Sequence, residues 1–366
     1  MQRPVLALDA RANATGIGRY TDQLLGGLRK ALKNVELWCI AHPSSHAKLA
    51  GQVDRVIESS APMYSLEAQM KVPGLVHGAS LLHCTHYDIP ALYDRPLSVT
   101  IHDVTHLIDP SFRDSFKGRV LAKSLMKLAV TKARRIITVS QYSKRMIVEH
   151  LGGSEDRISV IHLQASSVFT PMEGQEAARA VQQELGITRP FFLFVGNLKP
   201  HKNLPVLLQA LALLLSRRRD APSLVVVGKD AKNERRLRSF ATQLTIQDRV
   251  HWVSGISDEL LRACYSAAQA TVVPSRQEGF GLPVVESMAC GTPVICADAA
   301  SLPEIAGGCA LLFDPSSPEE CCERLTQILE SNLRGQLSSK GIKRASQFAS
   351  DRIVQQHAKV FGDLLA

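Results

Sequence analysis

With 366 residues, the chain is long for one domain and comfortable for two. It is 45% hydrophobic but only 5% aromatic, so the cores are aliphatic, and no apolar run approaches the ~20 residues of a membrane span. The formal net charge of +9 points to an anionic partner. The eight cysteines form no CxxC pair and mostly sit in apolar runs, which argues for reduced buried thiols in a cytosolic protein. The N-terminus runs straight into the apolar segment Val5–Asp9, so no signal peptide is expected.

Short aliphatic runs alternate with amphipathic stretches, the pattern of parallel α/β layers. In the first half, strands are predicted at Val5–Asp9, Val35–Ala41, Leu81–Cys84, Leu97–His102, Arg135–Val139 and Ile158–His162. Helices are predicted at Tyr20–Lys33, Ser115–Val130 and Gln141–Leu151. Pro171 to Glu176 is polar and turn-rich and reads as an interdomain connection. Strands then follow at Phe191–Val195, Leu224–Val227, Val250–Val253, Ala270–Val273, Pro293–Ala297 and Leu311–Phe313. The helices between them are Asn203–Arg218, Glu234–Leu244, Asp258–Ala268, Pro283–Cys290 and Pro318–Ser331. Ser317-Pro318-Glu319-Glu320 marks the last of these with a capping box. Two doubly wound domains in tandem follow, with ligands at the carboxyl ends of strands and the cleft between domains as the default site.

Gly16-Ile-Gly18-Arg19-Tyr20 follows the first strand and opens a helix; it reads as a phosphate-cradling turn or as an ordinary tight turn. His102-Asp103 ends a strand, a place for polar contact, for acid–base work or for a structural histidine. His83, His86 and His106 lie nearby, but their spacing fits no familiar metal set, and no metal is expected. From Ser115 to Arg135 there is no acidic residue. Leu121, Leu125 and Leu128 share one helical face, while Lys117, Arg119, Lys123 and Lys127 supply a basic one. That suits an interfacial helix on anionic lipid, or a core helix with a solvated basic face. No nucleic-acid module accompanies it.

Gly196-Asn-Leu-Lys199-Pro-His-Lys202-Asn203 joins the first strand of the second half to a long helix. Its two lysines suit a diphosphate; the plainer reading is a solvated helix start capped by Asn203. The densest signal is Glu278-Gly-Phe280-Gly281-Leu282-Pro283-Val-Val-Glu286. A buried strand ends in a glycine-broken loop that enters a helix at Pro283. The free N–H groups of the helix start favour an anion, and the two carboxylates can accept from hydroxyls on either side. Sugar hydroxyls, diphosphate and ribose hydroxyls follow that order in a sugar nucleotide.

These motifs, in this order, resemble the family 4 retaining glycosyltransferases of the group 1 type, mannosyltransferases included, which have the GT-B fold. The pair of glutamates with seven residues between them is the most specific element. Gly196–Asn203, Gly16-Ile-Gly18, His102-Asp103 and Thr138-Val-Ser-Gln-Tyr-Ser-Lys144 support it, and the match covers nearly the whole chain. The resemblance implies two Rossmann-like domains. Residues 1–170 would bind the acceptor, with 347–366 packing back on them; residues 171–346 would bind the nucleotide sugar. It implies that Glu278 accepts from donor-sugar hydroxyls, that Glu286 binds the ribose diol, and that the amides of Phe280 to Leu282 hold the diphosphate. Lys202 would neutralise the leaving diphosphate, His102 would sit by the transferred sugar, and Gly16, Gly18 and Gly196 would line the donor loops. Members often carry Arg where this chain has Asn197; Lys199 is the candidate replacement charge.

The expected activity is therefore metal-independent, retaining hexosyl transfer without a cofactor. The best match is GDP-mannose as donor and a lipid-linked or polysaccharide acceptor of the cell envelope, in a cytoplasmic protein peripheral on the inner face of the membrane. A UDP-sugar transferase, a nucleotide-sugar epimerase on the same fold and a non-catalytic nucleotide-sugar-binding membrane protein are the alternatives. Nucleic acid is not an expected partner.

Overall fold

The computed structural model describes residues 3–12, 16–109, 116–330 and 332–366. The chain divides into two compact units, one of Met1–Gln164 with Ala349–Ala366, the other of Ala165–Phe348. The sequence places the boundaries after 170 and 346; the units change over after 164 and 348.

The first unit runs β1 (Val5–Asp9), α1 (Gly16–Ala31), β2 (Glu36–Ala41), α2 (His46–Leu49), β3 (Arg55–Glu58) and α3 (Leu66–Leu75). It continues through β4 (Leu81–Cys84), β5 (Leu97–Thr100), α4 (Thr105–Ile108), α5 (Phe116–Lys132), β6 (Arg135–Thr138), α6 (Gln141–Leu151) and β7 (Ile158–Val160). All seven strands pair in parallel in the order β3-β2-β1-β4-β5-β6-β7. The order reverses between β1 and β4, which makes their carboxyl ends a topological switch point. The core is aliphatic, as the composition requires: Val5, Ala7, Ile40, Leu82, Val99 and Ile136 from the strands meet Met126, Ala129 and Ile147 from the helices.

The second unit runs α7 (Gly174–Leu185), β8 (Phe191–Val195), α8 (Leu204–Arg217), β9 (Ser223–Val227), α9 (Ala231–Gln243), β10 (Val250–Val253) and α10 (Asp258–Ala267). Then come β11 (Thr271–Val273), α11 (Leu282–Ala289), β12 (Val294–Ala297), α12 (Leu302–Ala306), β13 (Ala310–Phe313), α13 (Pro318–Glu330) and α14 (Leu333–Ala345). Its six parallel strands are ordered β10-β9-β8-β11-β12-β13, with the reversal between β8 and β11. The last helix, α15 (Ser350–Leu365), belongs to the first unit. It lies against α1 so closely that a Cβ at Gly27 would stand 2.4 Å from Val354 Cγ2.

Several elements differ from the sequence reading. The edge strand β3 was not expected, because Arg55-Val-Ile-Glu58 offers only two apolar residues. Helix α7 occupies part of the predicted connection; it is polar and buries only Ala177 and Val181. Helix α1 begins at Gly16 rather than Tyr20, so both glycines lie in its first turn. At the start of α13, Ser317 Oγ accepts from Glu320 N at 3.1 Å, but the Glu320 carboxylate reaches Asp314 N at 2.9 Å and leaves the capping box half made. Among the described residues no helix is long and apolar enough to cross a membrane.

Candidate functional site

In the second unit, the loops after β8 and β11 meet at the switch point. Gly196 follows β8, and its carbonyl oxygen comes so close to Gly228, after β9, that a Cβ there would stand 2.0 Å from it. Only glycine at 228 permits that approach. A 3-10 turn, Pro200–Lys202, then aims Lys202 at Glu278 in the loop after β11, with Nζ 2.5 Å from Oε1. Both side chains are mostly buried, at 15% and 12% exposure. Ser275 Oγ donates to the same Oε1 at 2.8 Å. The pair is thus desolvated and charge-assisted, which makes it strong and directional.

Gly281 precedes α11 at φ 105, where a Cβ would also meet Leu302 Cδ2 at 2.9 Å. Ser301 Oγ lies 3.0 and 2.8 Å from the carbonyl oxygens of Glu278 and Phe280 and pins the loop. The Phe280 ring is buried edge-on against Phe348 with centroids 5.6 Å apart, so what this residue offers the site is its backbone. Helix α11 starts at Leu282, with Pro283 second, one residue earlier than expected. Glu286 is 4% exposed inside this helix, and its Oε2 accepts from Tyr265 at 2.8 Å.

One expectation for this loop fails. Asn203 does not cap α8 with its side chain. It adopts φ 57 and donates instead to the carbonyls of Pro274 and Pro315, at 3.0 and 2.7 Å, tying the loops after β11 and β13 to the start of α8. Lys199 is exposed and lines a pocket with Asn233, Arg236 and Arg276, whereas Lys202 carries the contact with Glu278.

In the first unit, His102 follows β5 and is half-buried. Its Nε2 is 3.2 Å from Thr85 O. A carbonyl only accepts, so Nε2 carries the proton and Nδ1 keeps the lone pair of the neutral ring. Burial pushes this imidazole below its ordinary value, with Asp103 and the Thr85 bond pulling the other way. The motif at Thr138–Lys144 holds its backbone: Thr138 Oγ1 donates to Ile101 O at 2.8 Å and Ser143 Oγ to His102 O at 3.1 Å. Tyr20 packs edge-on against the His102 ring, centroids 4.9 Å apart.

Behind Tyr20 runs a buried hydrogen-bond chain. His357 Nδ1 donates to Ile353 O at 2.9 Å, so its Nε2 accepts from Tyr20 OH at 2.9 Å. Thr100 Oγ1 lies 3.0 Å from that hydroxyl and 3.2 Å from His83 Nε2, and Ser98 Oγ is 2.9 Å from His83 Nδ1. Burial depresses both histidines, His357 to about 4. Helix α15 is thereby tied to the strand that carries His102. Sequence reasoning missed Tyr265, Ser275, Ser301, Gly228, Tyr20 and His357 as supports. Only Tyr20, inside the Gly16-Ile-Gly18-Arg19-Tyr20 motif, carried any sequence signal.

The basic helix is α5. Lys123 and Lys127 are exposed, but Arg119 donates to Leu107 O and is half-buried. The side chain of Lys117 lies outside the described residues, as do Asn13 to Thr15 ahead of Gly16. Leu125 and Leu128 pack on the core, as in the core-helix alternative, while Leu121 is 56% exposed beside exposed Val120.

Family models match both units. The model for glycosyltransferase family 4 matches residues 14–163, and the one for glycosyl transferases group 1 matches 178–347. The chain belongs to the family 4, group 1 glycosyltransferases. An Escherichia coli O-antigen chain mannosyltransferase B is 28% identical over 93% of this chain and 94% of its own. A Salmonella typhimurium O-antigen chain mannosyltransferase is 29% identical over 69% and 66%. The Anabaena HepE protein, solved in complex with UDP-glucose, superposes with a TM-score of 0.78 at 21% identity, over 98% of this chain and 99% of its own. The fold of this glycosyltransferase is GT-B: two Rossmann-like units with parallel sheets of seven and six strands.

Proposed function

We propose that this glycosyltransferase moves a hexosyl group, with mannose on GDP as the leading donor, to a lipid-linked or polysaccharide acceptor of the cell envelope with retention of configuration. The observation that carries the reading is the Lys202–Glu278 pair at the β8–β11 switch point, beside the start of α11. Glu278 accepts from hydroxyls of the donor sugar, and Lys202 with the amides of 280–282 stabilises the charge that develops on the diphosphate. A fixed cation and a helix start act without reorganisation at the moment of bond breaking. That is the basis for metal independence. Glu286 binds the ribose diol, and Gly16, Gly18 and Gly196 let the backbone come close to the donor. Mannose is preferred because the aligned O-antigen enzymes are mannosyltransferases; a UDP-sugar is the alternative donor.

The step is a same-face displacement. The bond between the anomeric carbon and the diphosphate oxygen breaks, the acceptor oxygen bonds that carbon from the same face, and its proton passes to the departing phosphate oxygen. His102 lies beside the acceptor with Nδ1 available as a hydrogen-bond acceptor. The acceptor end is expected at an anionic membrane surface, which exposed Val120, Leu121, Lys123 and Lys127 on α5 would meet with apolar and basic groups together.

The test is product analysis by NMR with GDP-mannose, UDP-glucose and a mannose-terminated glycan acceptor in excess EDTA. An α-linked product formed from the α-linked donor supports the proposal. A β-linked product, activity that returns only with Mg²⁺ or Mn²⁺, or an epimerised donor in place of a glycoside overturns it.

A further inference from the structure

One cluster at the carboxyl edge of the first sheet is not absorbed by the donor site. Tyr64 stands at φ 61, a conformation that glycine or asparagine adopts with less strain. Its neighbours fix it there. Its N–H donates to Asp88 Oδ2 at 2.6 Å, and Arg11, paired with Asp9 at 2.7 Å, donates to Ala61 O at 3.1 Å. The Tyr64 ring is nonetheless 48% exposed. Its hydroxyl lies 3.1 Å from His86 Nδ1. The buried Tyr87 ring backs both, with centroids 5.9 Å from Tyr64 and 3.9 Å from His86. A tyrosine serving only the core would be covered, and a turn serving only the chain path would not need a ring.

The position is as telling as the geometry. His86 follows β4, at the reversal between β1 and β4. His102, Asp103 and His106 lie close enough to act electrostatically on it. Burial lowers His86 to about 3, with the His102 imidazole pushing the same way, so the ring is neutral at pH 7, and the Tyr64 hydroxyl, 3.1 Å from Nδ1 and 3.4 Å from Nε2, shares its one donor and one acceptor. An exposed aromatic face beside neutral and anionic hydrogen-bonding groups matches a pyranose, which has an apolar C–H face and a rim of hydroxyls.

We propose that Tyr64, His86 and Asp103 form a subsite for a hexopyranose ring of the acceptor, with the ring stacked on Tyr64 and its hydroxyls bonded to His86 and Asp103. This rests on the glycosyltransferase reading and places the acceptor sugar within reach of His102.

The test uses saturation-transfer NMR on the full chain, saturated with nucleoside diphosphate, with methyl α-mannopyranoside and methyl N-acetyl-α-glucosaminide as probes. Tyr64→Gly removes the ring while relaxing the backbone; Tyr64→Phe keeps the ring and loses the hydroxyl. At least one glycoside should bind the wild type, bind Tyr64→Phe a few-fold more weakly, and bind Tyr64→Gly at least tenfold more weakly. The glycine variant should melt no lower than the wild type and bind nucleotide sugar unchanged. Equal glycoside binding by wild type and Tyr64→Gly overturns the subsite. So does wild type that binds nucleotide sugar but neither glycoside, and in that case the transferase reading stands. Wild type that binds neither class of ligand sinks both.

Discussion

Replacing Lys202 by Met separates the structural from the chemical role of the ion pair. The substitution keeps the aliphatic stem and removes the cation 2.5 Å from Glu278 Oε1. Glu278 is then left 12% exposed, with Ser275 as a remaining donor. Breaking a buried pair from one side costs about 3–5 kcal/mol, and a surface pair is worth about 0–1. Partial exposure and the Ser275 bond put this case at about 2–3 kcal/mol. For a unit the size of residues 165–348, that lowers the melting temperature by about 4–12 °C. Turnover should fall by about 10²–10³, as for loss of one preorganised charge-stabilising group. The double variant Lys202→Met/Glu278→Gln removes both charges, so most of the stability returns while turnover stays low. Scanning calorimetry and initial-rate kinetics on the three proteins decide it. Near-normal kcat in Lys202→Met, or a double variant no more stable than the single one, refutes the reasoning.

Gly228→Ala would place Cβ 2.0 Å from Gly196 O, so the loop after β8 must move; a loss of about 2 kcal/mol or more is expected in denaturant titration, with donor affinity reduced. The first unit should lose stability as pH falls from about 6.5 to 4. His357 stays neutral in the fold down to about 4, whereas the unfolded chain takes up its proton near 6.5, so acid favours unfolding by roughly 3 kcal/mol over that window. His357→Gln should flatten that part of the profile, and an unchanged slope in the variant would refute the assignment. Vesicles rich in phosphatidylglycerol should bind the protein at low salt and release it at high salt; Lys123→Ala/Lys127→Ala should bind several-fold more weakly, and equal binding would rule out α5 as the contact.

Most strands were legible because they are short aliphatic runs, buried on both faces at the centre of each sheet, whereas edge strand β3 lacked that pattern and the order of strands within each sheet came only with the fold. The glutamate pair, Lys202 and His102 stood out through the resemblance of their motifs, and the fold adds that Lys202 and Glu278 pair across the loops after β8 and β11. The supports were not legible. Tyr265 and His357 lie in amphipathic helices where any buried residue looks like core, and only the fold shows that their polar atoms meet Glu286 and Tyr20. Tyr64 gave no periodic signal at all, since its meaning lies in a backbone angle and an exposed ring. Asn203 misled for a related reason: spacing shows a helix start, but not which neighbouring carbonyl a side chain turns to.

Calorimetric titration of GDP-mannose and UDP-glucose into wild type and Glu286→Ala bears on the donor site itself. One of the two nucleotide sugars should bind the wild type, and Glu286→Ala should bind it about 10–100-fold more weakly, the loss of hydrogen bonds to a charged acceptor. Failure of both to bind the wild type, or equal affinity in the variant, would show that the loop from Glu278 to Glu286 does not hold the donor.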